Sequence, residues 1–505
     1  MNNRTTKVAI VGGGVAGVTS ALHLAQMGIK VTLYEKRTSL VDGPPWCHLH
    51  AGGNLYREIS DEQCVTLLKQ SIDFVKFYPY VVDYRPTVIA LPAEDRGTVK
   101  QLLPRLELLK TEYQNLVSLD RSNKVLGDIE EYYRLYSLEK MEILKTRSIV
   151  DKPKTIDDWM IPVAKNLDFD TVQFPLILVQ EYGLNMFRLA AGSMLAFGNL
   201  PHVNIRTETT VEDIEKENGK WKVSYRDKQH QMHEEHFDYL INAAGFKTGE
   251  IDDMLGIHTE RMVEFKASYI SKWDAKSDIM FPEIIFHGER GTPRGMAQFT
   301  PYPGGYFQLH GMTNEITLDK EGLVKSSATS AQPVLQDKLI KRIDEGWDRE
   351  TIHERTQNSI KHVAPFIPAF AEAKVGSKPL FGAQQIPGDD PTLRVAEVSF
   401  PVDDYARCEI VKVSSSIDMA KAIAHNLVAQ GHLESDVLDH CVCNHTDLMD
   451  ERELNSHAQK IATQRGYPSI MGKRNVEKPP GVNKIERIHN EKAYMDSRCE
   501  QRHWA

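Results

Sequence analysis

The stretch that most constrains the fold is "VAIVGGGVAGVTSALHLAQMGIKVTLYEK", Val8–Lys36. Its apolar, β-branched start is typical of a buried parallel strand. Gly12, Gly14 and Gly17 then form G-x-G-x-x-G, apolar residues follow at helical spacing, and a second strand pattern ends at Glu35. A strand, a glycine turn, a helix, a second strand and an acid in this order predict a dinucleotide-binding βαβ unit.

The glycines and the acid of this unit have separate physical tasks. Gly12 permits the tight turn, Gly14 lets the backbone approach a pyrophosphate, and Gly17 lets helix and strand pack closely. The helix N-terminus offers free N–H groups to the phosphates. Glu35 can accept hydrogen bonds from ribose hydroxyls and would repel a 2′-phosphate, which disfavours an NADP-type ligand; the motif itself leaves FAD and NAD open. We expect the nucleotide to contact Gly12, Gly14, Val15, Ala16, Gly17, Glu35 and Lys36.

A second nucleotide signal lies in "FDYLINAAGFKTGE", Phe237–Glu250. It follows an alternating segment that turns at Asn218-Gly219, which is typical of a β-hairpin. A strand then runs into Ala243, Ala244 and Gly245, where small side chains let a strand end approach a cofactor closely. We therefore expect these three residues to contact the nucleotide as well.

Together these motifs resemble the FAD-dependent oxidoreductases of the D-amino-acid oxidase superfamily, a group that includes glycine and sarcosine oxidases, glycerol-3-phosphate dehydrogenase and 2-hydroxyglutarate dehydrogenase. The stretches "VNIRTETTVEDI" (Val203–Ile214), "YRPTVIALPAEDRG" (Tyr84–Gly97) and "GMAQFTPYPGGYFQLHGMT" (Gly295–Thr313) agree with that pattern. The resemblance covers roughly residues 7–430. It implies FAD as the cofactor and an α/β fold, with a Rossmann-like FAD-binding domain, a discontinuous α+β substrate domain and a helical insertion.

The same resemblance predicts the domain boundaries. Residues 1–59, 171–255 and 376–435 are expected to form the FAD-binding domain, and residues 60–170 and 256–375 the substrate or cap domain. Residues 436–505 lie beyond the resemblance, and we expect a mostly exposed, partly helical C-terminal extension.

The resemblance also implies further cofactor contacts. The loop "GPPWCHLHAGGNLYREIS" (Gly43–Ser60) matches a family segment beside the pyrophosphate and the flavin ring, where some members carry a histidine bonded covalently to the ring. His48 or His50 could have that role, with Cys47 and Cys408 as further candidates, and a hydrogen-bonding loop histidine is the alternative. Ser415-x-x-Asp418 is a capping-box pattern at the helix whose N-terminus the family directs at the flavin. The contacts implied are His48, His50, Ala51, Gly52, Val211 near adenine, Val413, Ser414 and Ser415.

Flavin chemistry suggests the catalytic residues. A carboxylate substrate calls for an arginine, and the candidates are Arg57, Arg294, Arg394 and Arg407, of which Arg294 and Arg407 are preferred. A hydroxy acid also needs a base, for which His50 and His310 are candidates. We expect dehydrogenation of a small amino acid or 2-hydroxy acid by hydride transfer to flavin N5, with oxygen or a quinone as acceptor.

The returning FAD segment departs from the family pattern. Gln384 and Gln385 stand where the family has an arginine, and Val413-Ser414-Ser415 stands where it has glycines, so no single acid is predicted. Two other readings stay open: an NAD(P)-linked flavoenzyme or flavin hydroxylase, and a flavin-bound scaffold or macromolecule-modifying protein. A second G-x-G-x-x-G unit would support the former, and the sequence has none.

Composition narrows the partners and the compartment. The net charge is −9, from 61 basic and 70 acidic residues, so neither nucleic acid nor an anionic membrane is expected as a partner. No apolar run reaches the length of a membrane span, which leaves peripheral membrane contact open, as the oligomeric state also is. The six cysteines form no disulfide framework, which favours a reducing compartment, and we expect the cytoplasm. "DHCVCNHTD" (Asp439–Asp447) offers Cys441, Cys443 and His445, but it lacks paired knuckles, so we expect no metal.

Overall fold

A computed structural model describes residues 6–49, 59–438, 449–474 and Val476. The strands in chain order are β1 (Lys7–Val11), β2 (Lys30–Tyr34), β3 (Val82–Asp83), β4 (Thr87–Ala90), β5 (Tyr133–Tyr136), β6 (Leu176–Val179), β7 (Gly183–Leu184), β8 (Val203–Arg206), β9 (Thr210–Glu217), β10 (Lys220–Arg226), β11 (Met232–Phe237), β12 (Tyr239–Asn242), β13 (Arg261–Lys272), β14 (Glu283–Phe286), β15 (Ala297–Tyr302), β16 (Tyr306–Gly311), β17 (Leu323–Lys325), β18 (Lys374–Val375), β19 (Leu380–Pro387), β20 (Val398–Ser399) and β21 (Tyr405–Cys408). The helices are α1 (Val15–Gln26), α2 (Asp61–Phe77), α3 (Val99–Leu119), α4 (Leu138–Lys145), α5 (Ile156–Asn166), α6 (Met186–Gly198), α7 (Thr248–Met254), α8 (Asp337–Asp344), α9 (Arg349–Val363), α10 (Ser416–Ala429) and α11 (Glu451–Gln464).

The N-terminal βαβ unit lies in a six-stranded sheet of order β20-β21-β12-β1-β2-β8, which we call the parallel sheet. β1 pairs in parallel with β12 and β2, and only the edge strand β20 runs antiparallel to its neighbour. Because β1, β2 and β12 are parallel, the turns after all three meet at one edge of the sheet. The two nucleotide signals of the sequence therefore converge at this edge, and the predicted fold class is confirmed.

A three-stranded antiparallel sheet, β11-β10-β9, stands beside the parallel sheet. Asn218 (φ 49°) and Gly219 (φ 78°) form the two-residue turn between β9 and β10, both in the left-handed region. Asn-Gly is the pair that such a hairpin turn prefers, and the predicted hairpin is confirmed.

The third layer is a ten-stranded mixed sheet, the large sheet, in which β17, β13, β16, β15, β14, β4, β6 and β5 follow one another while β18 and β19 also pair with β13. The side chains of its strand β13 point alternately into an apolar cluster and to a polar face. Val263, Phe265, Ala267 and Tyr269 belong to one buried apolar cluster. The intervening side chains of Glu264, Lys266 and Ser268 point to the opposite face, because successive side chains of a strand alternate.

That polar face of the large sheet is turned toward the loop that follows the βαβ unit. A Cβ at Gly382, which pairs with Lys266, would lie 2.6 Å from the backbone nitrogen of Pro44. On β15, the Gln298 amide donates to Cys47 Sγ at 2.8 Å. The two sheets thus meet across the segment 43–48.

The predicted helical insertion is divided between the two halves of the molecule. α2 packs against α10 and the 3₁₀ turn Val413–Ser415, next to the parallel sheet. α4 and α5 instead pack on each other and join the apolar cluster of the large sheet through Met141, Leu144 and Trp159. The predicted boundary at residue 60 therefore lies just before a helix that packs with the FAD-binding layer.

The C-terminal extension packs on the body of the fold. In residues 449–474, here called the C-terminal strap, the helix α11 packs against α6. Five of its side chains lie in the main core: Leu454, Ala458, Ala462, Tyr467 and Met471. The strap is partly helical, as expected, and most of its residues are exposed or half-buried while its apolar side chains pack into the main core. No helix in the described part of the chain combines the length and apolarity needed to cross a bilayer.

The strap is also held by polar contacts. The buried Arg188 guanidinium of α6 donates to both carboxylate oxygens of Glu451 at 2.9 Å and to Asn455 Oδ1 at 2.7 Å. The Asn185 amide donates to the carbonyl oxygen of Met471 at 2.7 Å. These bonds satisfy buried donors that would otherwise carry a desolvation cost.

We expect Leu454→Ala to lower the free energy of unfolding by roughly 2–5 kcal/mol, because it removes a side chain from the main core. Ser456→Ala, on the exposed face of the same helix, should change it by no more than about 0.5 kcal/mol. Urea unfolding followed by circular dichroism measures both variants. A strap that melts in a separate early transition, with the main midpoint unchanged, would contradict the packing.

Candidate functional site

The nucleotide edge of the parallel sheet is built from very close backbone contacts. Gly12 has φ +106°, and a Cβ there would lie 2.3 Å from the carbonyl oxygen of Ala243. A Cβ at Gly17 would lie 1.9 Å from the carbonyl oxygen of Gly12. By contrast, a Cβ at Gly14 would meet no atom within 4 Å. Gly12 and Gly17 thus serve the packing, whereas Gly14 faces open space.

That open space suits a pyrophosphate. Gly14 is the N-cap of α1 and provides no side chain to the first turn, so the N–H groups there stay available to an anion. Val15 is partly buried and Ala16 is buried behind this turn. The dinucleotide predicted from the sequence therefore fits the edge as built.

Glu35 closes the same edge from β2. Its carboxylate accepts hydrogen bonds from the backbone N–H groups of Gly13 and Arg37, both at 2.7 Å. Burial raises the pKa of this carboxyl, which the two N–H groups partly offset. Each oxygen retains lone pairs, so Glu35 can still accept from ribose hydroxyls. The neighbouring Lys36 pairs with Asp344 at 3.7 Å.

The remaining predicted nucleotide residues surround this edge. Ala243 follows β12 and donates its N–H to the carbonyl oxygen of Val11 at 2.8 Å. Ala244 and Gly245 continue that turn, with Gly245 at φ +63°. Val211, on β9, packs against the apolar cluster that contains Tyr34. The structure thus brings all of these residues near the ends of the strands β2 and β12.

The turn before α10 lies farther along the same side of the molecule. Val413, Ser414 and Ser415 are buried in a 3₁₀ turn that leads into the helix. The capping-box prediction is wrong, because Ser415 donates to Gln70 Oε1 at 2.7 Å instead of capping α10. The buried hydroxyl of Ser414 has no hydrogen-bond partner among the described residues, which leaves a polar group free for a bound ligand.

Between the two sheets lies a buried ion-pair network. His48 Nδ1 is 2.5 Å from Glu283 Oε1 on β14, and His48 Nε2 is 3.5 Å from Glu181 Oε1. Arg85 donates to the second oxygen of Glu283 at 3.0 Å and to the carbonyl oxygen of Cys47 at 3.2 Å. This network links the loop after the βαβ unit to the large sheet.

The charges of the network stabilise one another. Burial would lower the pKa of His48, but the Glu283 carboxylate raises it well above the usual range. Burial would likewise raise the pKa of Glu283, but His48 and Arg85 lower it to about 2. The pair therefore exists as imidazolium and carboxylate at neutral pH. With both ring nitrogens facing carboxylates, a covalent flavin bond through His48 would break these contacts.

Cys47, His48 and Glu283 include ligand types that hold metal ions, and their ligand atoms lie within 4.8 Å of one another. Donors already occupy that space, however. The Gln298 amide is 2.8 Å from Cys47 Sγ and 2.6 Å from Glu283 Oε1, and the Arg85 guanidinium caps the other carboxylate oxygen. The arrangement therefore suits an ion pair rather than a cation site.

A second charged group lies on the polar face of the large sheet. Lys266 Nζ is 2.6 Å from Glu264 Oε2, and Arg290 pairs with the other oxygen of Glu264. Across from it, burial lowers the pKa of Lys412 well below its usual range, and the charges of Arg394 and Lys266 add to that effect. The Glu181 carboxylate opposes this shift. Four basic side chains and two carboxylates thus act on one another between the large sheet and the turn before α10.

His310 lies on the strand β16 beside these groups. It is paired in register with Gln298 of β15, whose amide contacts His48. Burial, reinforced by the charges of Lys266 and His48, lowers the pKa of His310 to about 3. Its buried Nε2 has no hydrogen-bond partner among the described residues. His310 is therefore a neutral imidazole with a free ring nitrogen.

The other predicted catalytic residues do not join this group. Arg294 lies in the turn between β14 and β15, where its side chain is 75% exposed and pairs with Glu94. Arg407 is buried on β21 and donates to Asp252 Oδ2 at 3.1 Å and to Thr259 Oγ1 at 2.7 Å. Partners in α7 and in the loop after it thus already hold Arg407. Predictions for His50, Ala51, Gly52, Arg57, Cys441, Cys443 and His445 concern residues outside the described ranges.

Sequence reasoning missed several charged residues that the structure brings to this region: Arg85, Glu181, Glu264, Lys266, Glu283, Arg290 and Lys412. A signal for three of them was present in the sequence. Glu283 is the single charge of the strand "EIIF", and Glu264 and Lys266 alternate with apolar residues in "VEFKASY". A charge in a buried strand requires a partner, so each marks a polar surface inside the fold.

We expect Gly14→Ala to leave the stability of the apoprotein nearly unchanged and to weaken FAD binding at least about tenfold, because the added methyl occupies the pyrophosphate space. Gly198→Ala is the matched control, since a Cβ there also meets nothing within 4 Å. Fluorescence titration of apoprotein with FAD, combined with thermal unfolding, separates binding from folding. Equal FAD affinity in the two variants would contradict the assignment.

Glu283→Gln should lower the free energy of unfolding by roughly 3–5 kcal/mol, because it leaves two buried cations without their carboxylate. The loss should be full above pH 4.5, the ordinary pKa of this group, and should shrink as pH falls toward 2, where Glu283 takes up its proton. It should also decline at alkaline pH, as His48 loses its proton through its raised pKa.

The matched control is Glu94→Gln, which removes the partner of the exposed Arg294 and should cost no more than about 1 kcal/mol. Urea unfolding at several pH values compares the two variants. An equal and pH-independent loss in both would show that the buried pair carries no net charge interaction.

The part of the chain that builds this nucleotide edge is also the part that is similar to known proteins in sequence. Residues 7–111 match a family described as FAD dependent oxidoreductase. A thiamine thiazole synthase of Pyrobaculum aerophilum is 39% identical over 93 residues, which are 17% of this chain and 33% of that protein. The chain therefore matches about a third of the length of that curated relative.

Solved structures extend the likeness to most of the chain. The glycine oxidase from Geobacillus kaustophilus has a TM-score of 0.53 at 11% identity, covering 84% of this chain and 96% of the other. The glycerol-3-phosphate dehydrogenase from Bacillus halodurans, complexed with FAD, has a TM-score of 0.54 at 14% identity, covering 93% of this chain and 74% of the other. At these identities the likeness shows the fold. By the match of residues 7–111 and by its fold, the chain is similar to FAD-dependent oxidoreductases.

Proposed function

We propose that this chain is an oxidoreductase that uses bound FAD to dehydrogenate a small amino acid or 2-hydroxy acid, binding the substrate between the large sheet and the turn before α10. The observation that carries the proposal is the group of cations in that space. Lys266 of the large sheet is near enough to the turn before α10 for its charge to lower the pKa of Lys412, and burial is the first cause of the lowered pKa of both lysines. An anionic substrate would relieve that cost.

The balance of charge favours a carboxylate. Among the described residues, Glu264 is the only carboxylate within ion-pair distance of Lys266 and Arg290. The charges of Arg394 and Lys266 depress the pKa of Lys412, and Glu181 opposes them. A substrate carboxylate placed here would accept charge-assisted hydrogen bonds, which are stronger than bonds between neutral groups. Arg394, one of the arginines considered from the sequence, fits this role better than Arg294 or Arg407.

His310 is suited to hold the reacting end of the substrate. Its free Nε2 can accept a hydrogen bond from a substrate O–H or N–H, which would orient the neighbouring C–H. FAD, when bound, accepts a hydride from such a carbon. A substrate carboxylate beside Lys266 would raise the pKa of His310 and so make it a better proton acceptor.

The structural likeness to a glycine oxidase supports the amino-acid half of this proposal. The electron acceptor in the proposal is oxygen or a quinone. The three cysteines of the described residues, Cys47, Cys64 and Cys408, are free and buried, which supports the expected cytoplasmic location. No contact in the described residues favours the hydroxylase or scaffold alternatives over this one.

The direct test is an anaerobic titration of the purified yellow protein with a panel of amino acids and 2-hydroxy acids, followed by flavin absorbance. Bleaching by one member of the panel is the expected result, and acid precipitation beforehand shows whether the colour is released. Flavin that no acid reduces, but that NADPH does reduce, would replace the proposal by the hydroxylase alternative.

For the substrate found by this titration, Lys412→Met should raise KM roughly 10- to 150-fold, because it removes one charge-assisted hydrogen bond to the substrate. In the wild type KM should also rise as pH increases through the lowered pKa of Lys412, and this pH dependence should vanish in the variant. Lys341→Gln, an exposed lysine with 70% side-chain exposure, is the control. Steady-state kinetics across pH measures all three proteins, and an unchanged KM in Lys412→Met would remove Lys412 from the site.

A further inference from the structure

A separate cavity lies on the other side of the loop that follows Glu35. It has a volume of about 200 Å³ and forms where this loop, the start of α6, the start of β19 and the end of α11 meet. Ligand pockets for drug-sized molecules span about 300–1,000 Å³, so this cavity suits a smaller ligand. The groups that decide its chemistry are Arg37, Asp42, Lys378, Arg465 and Tyr467.

Positive charge is in excess in this cavity. Arg37 Nη1 lies 3.1 Å from Asp42 Oδ2, and Arg465 Nη1 lies 3.9 Å from Asp42 Oδ1. One carboxylate is thus shared by two guanidinium groups, and Lys378 adds a third cation to the same lining. The lining therefore carries a surplus of two positive charges.

Lys378 is the group that most needs an anion. Its ammonium is 4.8 Å from the centre of the Tyr467 ring and 5.9 Å from that of Phe381, and no carboxylate of the described residues lies within 4 Å of it. Burial lowers the pKa of Lys378; Asp42 opposes this, and the charges of Arg37 and Arg465 add to it. Aromatic faces hold the cation in place without neutralising it.

The wall of the cavity is rigidly constructed. The Arg465 side chain is only 7% exposed, and it donates to Ser39 Oγ and to the carbonyl oxygens of Leu40 and Val41. Tyr467 donates its hydroxyl to the carbonyl oxygen of Pro379 at 2.7 Å. The loop and the strap are thereby fixed to each other around the cations.

We propose that this cavity binds a small divalent oxyanion, a phosphate group, through Lys378 and Arg37. Two negative charges would balance the surplus of two positive charges. The guanidinium of Arg37 and the ammonium of Lys378 are both donors that bind phosphate oxygens. The site is separate from the open space at Gly14, so it does not depend on the proposed oxidoreductase activity.

The test uses the purified full-length protein saturated with FAD, so that the pyrophosphate space is already filled. Inorganic phosphate is titrated by isothermal calorimetry and by thermal unfolding, with chloride adjusted to hold the ionic strength constant. The expected result is saturable binding that raises the melting temperature. Phenyl phosphate in a second arm shows whether the site accepts a phosphate ester or only the free ion.

Lys378→Gln should weaken phosphate binding at least about tenfold, the scale of one charge-assisted bond. Lys374→Gln is the matched control, because it removes an exposed lysine on the neighbouring strand β18. Lys378→Arg should retain binding. Arg37→Gln should also weaken binding, and it replaces Lys378→Gln in the test if that variant does not fold. Absence of saturation, or equal affinity in the Lys378 and Lys374 variants, would overturn the proposal, and flavin absorbance reports FAD content independently.

Discussion

The interaction on which the remaining structure depends is the buried pair of His48 and Glu283, completed by Arg85. His48 belongs to the loop that leaves the dinucleotide unit, whereas Glu283 begins the strand β14 of the large sheet. Charges removed from water are tolerated only with partners in good geometry, and losing one partner costs several kcal/mol. The two sheets therefore have essentially one arrangement in which these charges are satisfied, and that arrangement fixes the space between them.

This constraint divides the space into two electrostatic zones. Around His48 the charges are paired, and Gln298 fills the remaining hydrogen-bonding positions. Around Lys266 and Lys412 the cations outnumber the carboxylates, and burial lowers both pKa values. The contact between the two sheets does not require the basic zone around Lys266 and Lys412, because the His48 zone already joins them. Burying more cations than carboxylates is costly, so this excess of positive charge argues for a ligand of opposite charge.

The sequence was informative wherever the structure depends on neighbouring residues. The dinucleotide turn, the Asn218-Gly219 hairpin and the turn at Ala243 follow from local spacing, and the structure has all three. The charge partners of Arg294 and Arg407 could not be predicted, because Glu94 and Asp252 reach them only through the tertiary fold.

The partners of the predicted helix cap and the packing of the strap also depend on residues far apart in the sequence. Ser415 has the spacing of a capping residue, yet Gln70 of α2 takes its hydroxyl, a contact between residues 345 positions apart in the chain. In the strap the buried residues include two alanines and only a few larger side chains, a pattern too weak to distinguish a packed helix from an exposed one.

The C-terminal strap supports the nucleotide edge through the loop that follows Glu35. Val41 donates its N–H to the carbonyl oxygen of Gly13 at 2.8 Å, and Arg465 holds the carbonyl oxygen of Val41 at 3.1 Å from the other side. The glycine turn, the loop and the strap are therefore linked through consecutive hydrogen bonds. Any ligand that stabilises the loop against the strap must favour the same arrangement of the glycine turn, and by linkage a dinucleotide bound at that turn favours the docked strap in return.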